Sequence, residues 1–322
     1  LYLCGLYAAV QLGKLSALAP LISPALALSL TAMAVAISLL EVGGALLGSV
    51  AGRLADRAGL AAVARGGVLA LASGGAMQAL APSAPLLFAG RLVEAAGYLA
   101  VMVSTPVLIV RVSAPHGPRT QALAMTLWST FVPVGLALGA WGSATLAGPL
   151  GWRGAIAAWA LAGLLLAIAA AVCGPSTSSH AAAATAAAPA RLPSQLRNMV
   201  LGFGAFAAFE VGLLSLLPML LVQQAGLDTG AAGGWTALAS VSAVGGSAIA
   251  SLLLYRGASV RSACLFALGL PPLLMFGVFT PAPTLPWALV LVVLVNVLGG
   301  VFASLVFARL PRLASDAGAL VR

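Results

Sequence analysis

The sequence predicts an all-α integral membrane protein, a bundle of about ten transmembrane helices, and three observations predict it. First, 62% of its 322 residues are hydrophobic and 7% are charged, with a mean hydropathy of +1.12. Soluble domains carry about 25% charged residues, so this chain has too few polar groups to clothe a surface in water. Second, the apolar stretches are long and continuous rather than alternating, and aromatics make up only 6%, which favours helices over a transmembrane barrel. Third, arginines concentrate in alternate connections between the apolar stretches.

A helical span needs about 20 apolar residues. Ten such stretches follow one another at 1–22, 29–51, 63–80, 86–110, 121–146, 153–173, 198–222, 231–254, 262–279 and 286–308. Pro20 and Pro24 mark the first turn. Pro82 and Pro85 mark the third, and Pro281, Pro283 and Pro286 the ninth. The second span runs through SLLEVGGALLG, where Gly44, Gly48 and Gly52 form a thin stripe suited to close helix packing. Gly135 and Gly139 in the fifth span read the same way. Pro106, Pro133 and Pro218 lie inside spans, as membrane helices tolerate. GWRG, Gly151 to Gly154, separates the fifth span from the sixth. The one long connection, GPSTSSHAAAATAAAPARLPSQ, is small, polar and proline-punctuated, as a linker is. It divides the chain into an N-terminal half at 1–173, a cytoplasmic linker at 174–197 and a C-terminal half at 198–322.

The net charge is +9. Alternate loops hold Arg53, Arg57 and Arg65; Arg111 and Arg119; Arg191 and Arg197; Arg256 and Arg261; and Arg309, Arg312 and Arg322. Of the 15 basic residues only Lys14, Arg91 and Arg153 lie elsewhere. Cytoplasmic loops carry such an excess, so these cations read as topology signals beside an anionic leaflet rather than as a nucleic-acid surface. Cys4, Cys173 and Cys264 have no metal or redox spacing. Leu1 already lies in an apolar run and no signal-peptide pattern precedes it, so the sequence reads as a fragment. The loop after the second span, LADRAGLAAVAR, and the loop after the eighth, LLYRGASVRS, match weakly, with Arg256 standing where Arg57 stands. A parallel duplication of helical halves gives such a repeat.

Glycine, three residues, an acid, a base, any residue and a second glycine follow the second span as Gly52, Asp56, Arg57 and Gly59. In this topological position the pattern resembles the signature loop of the major facilitator superfamily. The basic pair usual after it is missing, since Leu60 and Ala61 stand there and only Arg65 follows. Arg91 in GRLVEAAGYLAVMVSTP is similar to the superfamily's fourth-helix arginine, FVPVGLALGAWG loosely to its fifth-helix motif, and GWRG to its junction before the sixth helix. The likeness covers essentially the whole chain. It implies a twelve-helix bundle of which ten helices are present, and a cytoplasmic gate built on Gly52, Asp56, Arg57 and Gly59. It also implies that the second half lacks its last two helices. GKLSALAPLI, RLVEAAGY and TLWSTFVPVG are similar to bacterial cyanate- and nitroimidazole-type permeases.

Five ionisable residues fall inside spans: Lys14, Glu41, Arg91, Glu94 and Glu210. Each costs about 2.5–3.5 kcal/mol near a helix centre on insertion scales, so each is expected to face a cavity or a partner. Lys14 either snorkels or pairs with an acid, or else faces a cavity and attracts an anion. Glu41 is a candidate proton site or a partner for Lys14. Loss of hydration favours the neutral form of a carboxyl group and a nearby cation the charged form, which suits a proton carrier. Arg91 and Glu94 share a helix face and form a local ion pair or take part in coupling. Glu210 is central in the seventh span and is a site candidate or a structural partner. Trp128, Thr130, Gln11 and Asn296 either line a cavity or bond a neighbouring helix.

Nucleotide-binding glycine-lysine loops, histidine clusters and nucleophile elbows are missing from the sequence. His116 and His180 fall in predicted cytoplasmic loops. No enzyme activity, metal or cofactor is therefore expected. The pattern predicts a secondary transporter of a small solute in a bacterial inner membrane, coupled to protons or another ion and working as a monomer by alternating access. The cargo expected is a small anion. Two other readings are a ten-helix drug/metabolite-type exporter and a membrane sensor or scaffold without transport.

Overall fold

The structure, a computed structural model, describes residues 1–41, 58–173, 194–279 and 285–319. Apolar runs of this length satisfy their backbone groups internally only as helices. The described residues form helices α1 (Tyr2–Ala25), α2 (Leu30–Glu41), α3 (Leu60–Ala79), α4 (Ala84–Ser113) and α5 (Pro118–Trp128). They continue as α6 (Phe131–Cys173), α7 (Ser194–Gln223), α8 (Thr229–Tyr255), α9 (Val260–Phe279) and α10 (Leu285–Ala319). No strand occurs among the described residues.

Three boundaries differ from the sequence expectation. The first helix does not turn at Pro20 or Pro24 but runs through both to Ala25. It ends where Leu28 N–H reaches Ser23 O at 2.8 Å and Ala27 N–H reaches Pro24 O at 3.5 Å. That is a left-handed cap, with Ala27 at φ 49°. The predicted fifth span is broken at Ser129–Thr130, where Thr130 N–H bonds Leu127 O at 3.1 Å. Pro133, four residues on from Ser129, has no N–H to give its carbonyl and crowds it. The fifth and sixth spans then run on as α6, divided at Gly151, whose φ of 68° and ψ of 173° interrupt the helix. A side chain is strained at that φ, which is why the junction of GWRG is a glycine.

Two compact units divide the chain: Leu1–Ala182 with Ser215–Ala237, and Ala183–Leu214 with Leu238–Arg322. The first unit is built around α1. Apart from a few polar residues this helix is apolar all round, the pattern of a buried helix, and Ala8, Leu15, Leu18 and Ile22 are fully buried. α1 and α6 touch backbone to backbone: a Cβ on Gly13 would strike Leu136 O, and one on Gly139 would strike Val10 O. α3 and α4 approach equally closely. Gly67 faces Gly97 O and Gly74 faces Gly90 O, so small residues seven apart on each helix mesh. The last turns of α7 and the start of α8 join this unit: Ser16 Oγ donates to Ser215 O at 2.5 Å, and Gly233 packs on Ala140 and Ala144.

The second unit repeats the device. Gly246 faces Val297 O, and Gly300 faces Ala243 O, bringing α8 and α10 into contact. Phe206 packs edge-on against Phe302 at 5.0 Å between centroids and lies beside Phe203 at 6.1 Å. On the outside, Leu161, Leu164, Leu165 and Ile168 of α6, and Leu265, Phe266, Leu273 and Phe276 of α9, are exposed. Rows of this kind are a lipid face, since hydrocarbon is as apolar as leucine.

A buried charge network as the candidate functional site

The face of α1 carries Tyr7, Gln11 and Lys14, at the i, i+4, i+7 spacing that lines up side chains on a helix. Across from it α4 presents Arg91 and Glu94. Lys14 Nζ donates to Glu94 Oε1 at 2.5 Å, and Arg91 Nη1 donates to Glu94 Oε2 at 2.8 Å. All three side chains have 0% exposure. One carboxylate thus sits between two cations, each on its own oxygen.

Arg91 is held on further sides. Its Nε donates to Ala36 O at 2.9 Å, its Nη2 to Ile37 O at 3.1 Å and its Nη1 also to Gln11 O at 3.0 Å. Of the five guanidinium N–H groups, four are satisfied by protein, and they tie α1, α2 and α4 together. Lys14 Nζ has three hydrogens and, among the described residues, bonds Glu94 Oε1. The two cations are therefore held unequally: Arg91 bonds acceptors on three helices, whereas Lys14 bonds one carboxylate oxygen. Breaking a buried pair by removing one member costs about 3–5 kcal/mol, because the other charge is left uncompensated.

Space for the network comes from glycine. A Cβ on Gly75 would stand 3.4 Å from Glu94 Oε1 and 3.7 Å from Lys14 Nζ, and one on Gly74 would lie 2.7 Å from Glu94 Cγ. Two buried amides border this unit's polar core. Gln11 Nε2 donates to Tyr7 O and Gln78 Nε2 to Gly74 O, while Oε1 of each lacks a partner. Sequence reasoning passed over Gly74, Gly75 and Gln78. The signal available was the pair of glycines flanking Arg91–Glu94, Gly90 and Gly97, repeated as Gly67 and Gly74 on the neighbouring helix.

The other sequence candidates lie elsewhere. Glu41 is the last described residue of α2, partly buried and an electrostatic neighbour of Arg91. The partner of Lys14 is Glu94 and not Glu41, because α1 faces α4 at that level. Trp128 stacks on Phe131 at 4.3 Å between centroids and covers Gly5. Thr130 Oγ1 bonds Tyr2 Oη at 3.0 Å. Glu210 and Asn296 are in the second unit, Glu210 against Gly299 and Asn296 fully buried. Gly52, Asp56 and Arg57 lie outside the described residues, while Gly59 is the N-cap of α3. A cavity of about 500 Å³ opens away from the network, beside Leu1, Cys4, Arg65 and Val112. Arg65 is the one charged side chain among the described residues that line it.

A family model described as Major Facilitator Superfamily matches residues 1–321. Among solved structures the chain is similar to a bacterial homolog of the human lysosomal transporter Spinster. Its inward-facing, occupied form gives a TM-score of 0.77 at 18% identity, covering 99% of this chain and 76% of that one. The unoccupied form gives 0.76 at 16% identity, with the same 99% and 76% coverage. The xylose transporter XylE from E. coli, partially occluded and inward-open, gives 0.72 at 15% identity, covering 98% of this chain and 87% of that one. At these identities the likeness shows the fold. A search of curated proteins gave no match.

Proposed function

Because the chain belongs to the major facilitator superfamily, and so is an integral membrane transporter of small solutes, we propose that it carries a small anion across a bacterial inner membrane, coupled to protons, by alternating access. The observation that carries this reading is Lys14, a fully buried cation whose acceptor among the described residues is a single carboxylate oxygen. An anion entering between α1 and α4 replaces Glu94 Oε1 on Lys14. Glu94 keeps Arg91 on its other oxygen, so the network opens on one side without stranding a charge. A proton taken up with the anion offsets its charge, and Glu41, Glu94 and Glu210 are the carboxyl groups available for it.

On this reading 1–173 and 198–322 are the two halves that rock about the site, joined by a cytoplasmic linker at 174–197. The arginine-rich loops face the cytoplasm, and Gly52, Asp56, Arg57 and Gly59 form the cytoplasmic gate that the family likeness suggests. The resemblance of GKLSALAPLI and RLVEAAGY to cyanate- and nitroimidazole-type permeases supports a compact anionic or strongly polar cargo. Anions that bind the folded state raise its melting temperature by mass action. A thermal screen of small inorganic anions and carboxylates on the purified chain is expected to give at least one stabilising anion, whose effect disappears in Lys14→Ala. Stabilisation retained in full by Lys14→Ala contradicts the reading.

A further inference from the structure

Four helix ends of the first unit leave a gap between them. The cavity of about 500 Å³ lies at the start of α1, the start of α3, the end of α4 and the end of α6. Tyr7 sets its inner limit. A Cβ on Gly163 would strike the Tyr7 ring, and Tyr7 Oη donates to Trp159 O at 3.0 Å. At that level Tyr7, Val68 and Ala167 pack with Cys4 in one buried cluster. One turn nearer the helix ends, Leu3 of α1 and Leu166 and Ala169 of α6 line the cavity instead.

The walls are apolar, and among the described residues that form them Arg65 is the one cation and there is no acid. Arg65 stands five residues after the first residue of α3, about 7.5 Å along the helix, and is half-buried. Its Nε donates to Ala61 O at 3.2 Å, and no described carboxylate pairs with it. A guanidinium has five N–H groups, so both Nη groups remain for a ligand. The cavity opens sideways: Leu3 is 58% exposed and Val112 49%, and Leu165, beside the lining Leu166, belongs to the exposed row of α6. An apolar trough of this volume with few polar groups has the make-up of a small-molecule site. A phosphate can take two parallel bonds from one guanidinium, and an acyl chain can lie along the trough. A soluble anion gains from Arg65 but not from the walls. A zwitterionic lipid brings a second cation to walls that hold no acid.

We propose that this cavity binds one anionic phospholipid, with its phosphate on Arg65 and an acyl chain between the ends of α1 and α6. On the topology proposed above these ends face the cytoplasmic leaflet, whose anionic lipids attract such a cation. The lipid joins the four helices beyond the level at which Tyr7 closes the packing. The site is separate from the Lys14–Glu94–Arg91 network and does not depend on the cargo.

Native mass spectrometry of the purified full chain tests it, after equilibration with equal amounts of phosphatidylglycerol and phosphatidylcholine of the same acyl chains. The wild type is expected to retain one phosphatidylglycerol with a preference of about fivefold, the contribution of one basic residue at an anionic surface. Arg65→Gln is expected to lose the preference, and Arg256→Gln, at an exposed arginine of the second unit, to keep it. Ala169→Trp, at an exposed lining position, fills the trough and is expected to release lipid of either kind. Circular dichroism checks that each variant is folded; should Ala169→Trp not fold, Arg65→Gln decides. A wild type without the preference, a preference that Arg65→Gln retains or Arg256→Gln equally removes, or lipid still held by a folded Ala169→Trp overturns the proposal. Displacement of the lipid by millimolar inorganic phosphate also overturns it, since that marks a site for a soluble anion. No cargo enters the measurement, so its failure is distinct from failure of the anion screen.

Discussion

Arg91 and Lys14 are both buried cations on Glu94, yet they do different work. Arg91 holds four acceptors on three helices through a planar fork, which a lysine cannot reproduce. Arg91→Lys is therefore expected to loosen α2 and to lower the unfolding midpoint markedly, measured by thermal unfolding in detergent. Lys14→Ala leaves Glu94 with one cation and Glu94→Gln leaves two cations without their acid, each at about 3–5 kcal/mol. Lys14→Ala combined with Glu94→Gln is expected to cost well under the sum of the two single changes, because the interaction is shared. Additive costs in that cycle would mean that the 2.5 Å contact contributes nothing. The Arg91–Glu94 contact could be read from their spacing of three on one helix. The partner of Lys14 could not, because it depends on which faces α1 and α4 turn to each other.

At the scale of the element, what ends a helix decides what can be read. α8 ends in a left-handed cap on Gly257, φ 71°, with Ala258 N–H on Leu253 O at 3.0 Å, and a glycine followed by small residues announces it. α1 ends in the same bonding pattern on Ala27. Alanine gives no such signal, so Pro20 and Pro24 drew the predicted boundary to themselves although both sit within the helix. An alanine in the left-handed region costs about 1–2 kcal/mol. Ala27→Gly is thus expected to raise the melting temperature, and a fall would contradict the cap. The glycines between helices carry the opposite prediction. Gly139→Leu would drive a side chain into Val10 O and Lys14 N, separate α1 from α6 and disturb the network through its lysine. It is expected to unfold the chain or abolish its anion response, whereas Gly148→Leu, with open space around it, is expected to be tolerated.

For the whole molecule, the fold was legible because a membrane limits the choices. Long apolar runs become helices, and the spans from 86–110 onward coincide with α4 to α10 apart from the break at Ser129–Thr130 inside the fifth span, once Gly151 is read as a junction. What was not legible is how the chain partitions. Ser215–Ala237 packs with the first unit, through contacts such as Ser16 with Ser215 that no local pattern announces. The central claim is that this transporter moves an anion with a proton through an exchangeable Lys14. Proteoliposomes loaded with a pH-sensitive dye and challenged with a panel of small carboxylates and inorganic anions test it most directly. The account predicts that at least one anion drives proton movement into the lumen in the wild type, and that Lys14→Ala abolishes it while Gly148→Leu preserves it. Anion flux that moves no protons, or proton movement that persists at the wild-type rate in Lys14→Ala, would contradict it.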